Sequence, residues 1–85
     1  STRNAPMKLE EMALPPAIKT EAARIAQRIE IADGLLEMAT AGGVGEGFLM
    51  GLACADTVSA QGIEALEDLF SQVMTRKLAE ARKQL

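Results

Sequence analysis

The chain contains no histidine, tryptophan or tyrosine, and it has one cysteine and two phenylalanines among 85 residues. Histidine supplies most acid–base catalysis near neutral pH, and histidine and cysteine supply most ligands for transition metals. Aromatic rings supply the surfaces on which single-stranded nucleic acids stack. These absences exclude most enzymatic, metal-binding and base-stacking chemistry. We therefore expect no catalytic residue, no metal and no cofactor, and a protein that works by binding.

The small number of bulky residues limits the core that the chain can form. A chain of 85 residues makes one domain, and a single cysteine cannot form an internal disulfide. Apolar residues make up 48 % of the chain, but many of them are alanines, which bury little area each. Packing against a second copy would enlarge the core, so the composition favours self-association.

Charge and hydropathy limit the partners. The net charge is −3, whereas contact with nucleic-acid phosphates needs a basic face. The longest stretches without a charge or a proline lie between Ala39 and Glu46 and from Gly47 to Ala55, and both fall short of the ~20 residues that cross a bilayer. There is no basic segment followed by an apolar segment and a cleavage site. We expect a cytoplasmic protein without a membrane segment.

Residues 1–15 are expected to form a partly ordered arm that ends at Pro15 and Pro16. Pro16 suits the first turn of a helix, where its missing N–H costs nothing. The apolar spacing then predicts one helix from Pro16 to Thr40, with Gly34 as an internal kink or a close crossing. The apolar residues recur at alternating steps of four and three: Ile18, Ala22, Ile25, Ile29, Ala32, Leu36 and Ala39.

Glycines at 42, 43 and 45 predict the end of this first helix, since glycine commonly follows the last helical residue. A second helix is expected from Glu46 to Asp56, apolar on nearly every side and therefore central and buried. Small residues recur there at every fourth position, at Gly47, Gly51 and Ala55, which predicts a tight crossing inside the core. The same reasoning predicts a buried, unreactive thiol at Cys54.

A third helix is predicted from Ala60 to Gln84, with Ser59 as its N-cap. Its apolar stripe contains Ile63, Leu66, Leu69, Phe70, Val73, Met74, Leu78, Ala81 and Leu85. The expected fold is therefore all-α: a small three-helix domain over residues 16–85 with a short N-terminal arm.

Two motifs bear on other chemistry. The glycine-rich segment 42–47 precedes a predicted helix, which is where phosphate cradles lie, but it lacks the Lys-Ser/Thr pair of a nucleotide loop. A flexible connection is the simpler interpretation, and anion binding stays open. The acidic pairs Glu10-Glu11 and Glu67-Asp68 are sequence neighbours that diverge on a helix, so they favour a solvated surface over paired-carboxylate catalysis.

The surplus apolar surface predicts a small non-enzymatic interaction module, either an adaptor, a regulator or an assembly subunit, whose partner is a second copy or another protein. The candidate dimer interface comprises Ile25, Ile29, Leu36, Phe70, Val73 and Leu78. The candidate docking residues form a basic cluster, Arg76, Lys77, Arg82 and Lys83. One alternative is a DNA-associated regulator that uses the third helix, although its first turns carry Glu64, Glu67 and Asp68. A third class is an enzyme that uses carboxylates alone.

Overall fold

The computed structural model describes residues 7–83 and confirms an all-α, three-helix fold. A short 3₁₀ turn, Leu9–Glu11, is followed by α1 (Pro16–Glu30), α2 (Leu35–Ala55) and α3 (Ala60–Lys83). No strand occurs among residues 7–83. Each helix packs against the other two, so the core lies along the centre of the bundle.

The first helix ends ten residues earlier than the prediction of a helix to Thr40. Pro16 occupies its first turn, and the inward positions Ala22, Ile25 and Ile29 are buried, as the spacing predicts. The chain then turns through residues 31–34, where Gly34 adopts φ 91° and ψ 167°. Glycine alone adopts that region readily. Gly34 therefore separates two helices rather than kinking one.

The second helix runs straight through the glycine-rich segment that the sequence analysis assigns to a loop. Two of these glycines let neighbouring side chains lie against the α2 backbone. A Cβ on Gly42 would lie 2.7 Å from Cε of Met74, and one on Gly45 would lie 3.1 Å from Cδ2 of Phe70 and 3.3 Å from Cγ2 of Ile25. Burial of those side chains offsets the cost of glycine in a helix, about 1 kcal/mol per residue.

The third helix follows its prediction closely. The N–H of Gly62 donates to Oγ of Ser59 at 3.0 Å, which confirms the N-cap. Leu66, Phe70 and Val73 of the predicted stripe are buried, and its other members up to Ala81 are partly buried. Residues 84 and 85, including the predicted end at Gln84, lie outside the described residues.

The described part of the N-terminal arm packs on the bundle. Met12 is buried in the core, and Leu9 and Leu14 pack beside it. Nζ of Lys19 on α1 also donates to the backbone oxygen of Glu10 at 3.3 Å. The arm therefore covers one side of the contact between α1 and α3. Residues 1–6 lie outside the described part.

The prediction of a central, buried second helix is wrong. Only four of the 21 residues in α2 are buried, namely Met38, Ala41, Gly45 and Leu52. Cys54, expected in the core, is exposed. The physical reason is the helix boundary. Because α2 has 21 residues, more than the 15 of α1 and nearly as many as the 24 of α3, it packs beside them along one face and leaves its other face uncovered.

Candidate interaction surface

The uncovered side of α2, termed here the α2 outer face, carries no charge. At 3.6 residues per turn, it is the side opposite Met38, Gly45 and Leu52. It comprises Leu36, Thr40, Gly43, Gly47, Met50, Gly51 and Cys54, all of which are exposed. Leu36 exposes 82 % of its surface and Met50 exposes 63 %. Large apolar side chains this exposed on one uncharged helix face make that face a candidate interaction surface.

Three glycines make the α2 outer face low and open. A Cβ built on Gly43, Gly47 or Gly51 would meet no atom within 4 Å. The predicted tight crossing at Gly47, Gly51 and Ala55 therefore does not occur among residues 7–83, because these three residues are exposed and face away from α1 and α3. The stripe leaves space in which a partner could approach the α2 backbone closely.

Apolar residues also cluster where α1 meets α2. Ile31 and Leu35 expose 66 % and 64 % of their surfaces. A cleft of about 380 Å³ beside them is lined by Ile31, Ala32 and Leu36, with Arg28, Glu37 and Thr40 around it. Oε1 of Glu37 accepts a hydrogen bond from the N–H of Asp33 at 2.8 Å, which holds this connection. The cluster extends the α2 outer face at its N-terminal end.

A groove lies between α2 and α3, along the edge of the α2 outer face that is opposite the cleft beside Leu36. Its volume is about 310 Å³ and its lining is mostly apolar: Ile29, Gly42, Leu49, Phe70, Ser71 and Met74, with Glu46 on the α2 wall and Glu67 on the α3 wall. Within residues 7–83 neither carboxylate forms an ion pair. This groove is not predictable from the sequence pattern, because it forms only when α2 continues through residues 42–49.

The charges of the chain are segregated. Every lysine and arginine lies either at or before Arg28 or at or after Arg76. The charged residues between them are all acidic: Glu30, Asp33, Glu37, Glu46, Asp56, Glu64, Glu67 and Asp68. The exposed apolar surfaces of α2 and the α2/α3 groove therefore lie in a purely acidic part of the chain, whereas the end of α3 is basic.

Four of the six residues predicted at a dimer interface belong to the core of the single chain. Ile25, Ile29, Phe70 and Val73 are buried beneath the helices of their own bundle, so the assignment of these four to an interface is corrected. Leu36 is exposed on α2, and Leu78 is partly buried on α3. The reason is that the two long apolar stripes meet each other inside one molecule.

The structure distinguishes among the four basic residues predicted to dock a partner. Arg76 forms an ion pair with Glu30 at the end of α1, which ties α3 to α1. The hydrogen bond to Glu30, reinforced by charge attraction, raises the pKa of Arg76 above its usual value. Lys77 is partly buried, and Arg82 and Lys83 are exposed on the last turns of α3.

Two further expectations concern anions and membranes. Residues 42–47 lie inside α2, where their N–H groups face helix carbonyls rather than an anion. The expected loop for an anion site is therefore absent in this part of the chain.

By length and composition alone, α2 could cross a membrane, and 22 % of its most apolar window is buried. The expectation of no membrane segment counted Glu46 as the end of an apolar stretch, whereas α2 continues through Glu46 as one helix.

The described residues hold no cluster of three or more histidine, cysteine, aspartate or glutamate side chains placed to hold a metal ion. Comparisons with protein-family models, curated proteins and solved structures give no significant match to this chain. The α2 outer face, the α2/α3 groove and the segregation of charges are therefore the features that bear on function.

Proposed function

We propose that this protein is a non-enzymatic interaction module that self-associates, with the α2 outer face at the interface. The observation that carries the proposal is the exposure of Leu36 and Met50 on a helix face without a charged residue. Covering that face removes apolar surface from water at about 25 cal/mol per Å². The bundle already uses the opposite side of α2 for its own core.

A protein partner fits this surface better than a lipid or nucleic-acid partner. The carboxylates of Asp33, Glu37 and Asp56 lie near the two ends of α2, and Glu46 lies beside its outer face. These four carboxylates outnumber the basic residue beside the face, Arg28 in the cleft next to Leu36, so anionic lipid headgroups and nucleic-acid phosphates would be repelled there overall. The same charges weigh against the alternative of a DNA-associated regulator, because the first turns of α3 belong to the acidic part of the chain.

A second copy is the partner that the chain itself supplies. No other partner need be invoked to cover a face that each copy presents, since two-fold symmetry covers both faces at once. Stability also favours it: the buried core of this small bundle includes small residues such as Ala22 and Ala41, and association adds apolar burial to it.

Sedimentation equilibrium of matched methionine variants tests the proposal. Met50→Ser removes an exposed methionine from the α2 outer face, and Met7→Ser removes one from the N-terminal arm, where it is 44 % exposed. We expect Met50→Ser to weaken self-association at least about tenfold while Met7→Ser leaves it unchanged. Circular dichroism checks that both variants fold. Equal behaviour of the two variants would refute the role of α2.

A further inference from the structure

The α2 outer face alone is too small to hold a specific dimer. The helix has 21 residues, so its face is ~31 Å long and ~10 Å wide. Two such faces cover ~600 Å², about half of the ~1,200 Å² at the lower end of specific interfaces. A stable pair of chains therefore needs a second contact, and that contact must lie next to α2.

We infer that the α2/α3 groove receives the basic last turns of α3 from a second copy, and this inference rests on the self-association proposed above. The groove adjoins the α2 outer face and has apolar walls with two carboxylates, Glu46 and Glu67. It is fitted to a helix that carries an apolar stripe with basic flanks. The last turns of α3 form such a helix.

The arrangement of charges on α3 matches the groove on both sides. Leu78 and Ala81 continue the apolar stripe, and at 100° per residue Lys77 and Arg82 lie about 70° to either side of it. A basic residue on each flank of the stripe thus corresponds to a carboxylate on each wall of the groove. Lys83 lies on the opposite side of the helix, as does Arg76, whose guanidinium is already paired with Glu30.

The lengths also agree. The groove extends along α2 from Gly42 to Leu49, which is ~10 Å at 1.5 Å per residue. The helical segment from Lys77 to Lys83 is ~9 Å long on the same measure. Contact between two α2 outer faces alone would instead bring the acidic surroundings of one helix against those of the other, so the basic end of α3 is the better complement.

Charge reversal tests the inference. One variant, Glu46→Lys with Glu67→Lys, makes the groove basic. A second variant, Lys77→Glu with Arg82→Glu, makes the end of α3 acidic. Sedimentation should show each variant dimerising at least about tenfold more weakly than the native chain. An equimolar mixture of the two should associate again, because each groove then meets an α3 end of opposite charge. The controls Lys83→Glu and Glu64→Lys should change little.

The outcomes separate this inference from the proposed function. If the native chain self-associates but the reversed variants behave like the controls, the groove contact is wrong and the role of α2 stands. If groove reversal weakens association but α3 reversal does not, the occupant is another part of the second copy and the inference is overturned. If the native chain is a monomer at all concentrations, both the groove contact and the proposed self-association are wrong.

Discussion

The backbone of Gly45 in α2 lies against the ring of Phe70 in α3, where a Cβ would come within 3.1 Å of Cδ2. That distance is shorter than ordinary van der Waals contact, and Ile25 of α1 closes the other side at 3.3 Å. The packing of Phe70 and Ile25 against the α2 backbone therefore depends on a glycine at position 45, which also explains why α2 tolerates glycine there.

Alanine substitutions at Gly45 and Gly47 should have opposite effects on stability. Gly47→Ala places a methyl group in open space and gains helix propensity, so it should raise the free energy of unfolding by up to about 1 kcal/mol. Gly45→Ala gains the same propensity but overpacks Phe70, so it should lower the free energy by about 1 kcal/mol net. Urea denaturation at low protein concentration measures both. If Gly45→Ala instead raised the free energy of unfolding, the helices would be able to move apart and accommodate the methyl group at little cost.

Gly34→Ala should destabilise the protein although there is open space for the added methyl group. A Cβ there meets no atom within 4 Å, but the backbone has φ 91°. Side chains disfavour that conformation by about 1–3 kcal/mol, and the free energy of unfolding should fall by that amount. Gly43→Ala, also in open space but helical, is the matched control and should not destabilise. Equal effects of the two would mean that residues 31–34 can adopt another turn.

Removing the cap of α3 should cost about 1 kcal/mol. Ser59→Ala deletes the oxygen that accepts from the N–H of Gly62, which leaves a donor at the helix start unpaired. Ser59→Asp keeps an acceptor and should retain most of the stability. Thermal unfolding followed by circular dichroism compares the two. A loss with Ser59→Asp as large as with Ser59→Ala would argue against the hydrogen bond.

The ion pair between Arg76 and Glu30 should make a small, salt-sensitive contribution, because both side chains are partly exposed. A double-mutant cycle with Arg76→Gln and Glu30→Gln isolates their coupling. A raised pKa in the folded state means that the contribution of Arg76 is present below its unfolded pKa and is lost only at strongly alkaline pH. The coupling should therefore be constant from neutral to mildly alkaline pH and fall in high salt. Coupling insensitive to salt would contradict the assignment.

The sequence predicts the stripes of α1 and α3 well, because their buried residues are bulky and regularly spaced. It misplaces the turn between α1 and α2, since the step of four from Ala32 to Leu36 continues the apolar pattern across it. Asp33 and Gly34 are a turn signal, but three glycines nearby form a stronger one. Only tertiary packing decides which of the two glycine positions is the turn. Met74 and Phe70 pack on Gly42 and Gly45, which holds that segment in the helix, whereas no side chain of residues 7–83 packs on Gly34.

The candidate surface depends on that same turn. With a break at residues 41–45, Leu36 belongs to the apolar stripe of the first helix and Cys54 to a buried second helix. With the break at Gly34, both lie on the α2 outer face, and Glu46 moves to the wall of a groove. The basic cluster at the end of α3 was predictable from composition, but its pairing of Arg76 with Glu30 was not, since these residues are 46 positions apart.

The mass of the intact chain in solution tests self-association most directly. Sedimentation equilibrium from low to high micromolar concentration should show the mass rising toward twice the chain mass of 9.0 kDa, because burial of the α2 outer face drives association. A mass of 9.0 kDa at every concentration would contradict the account, and the exposed face of α2 would then require a different explanation.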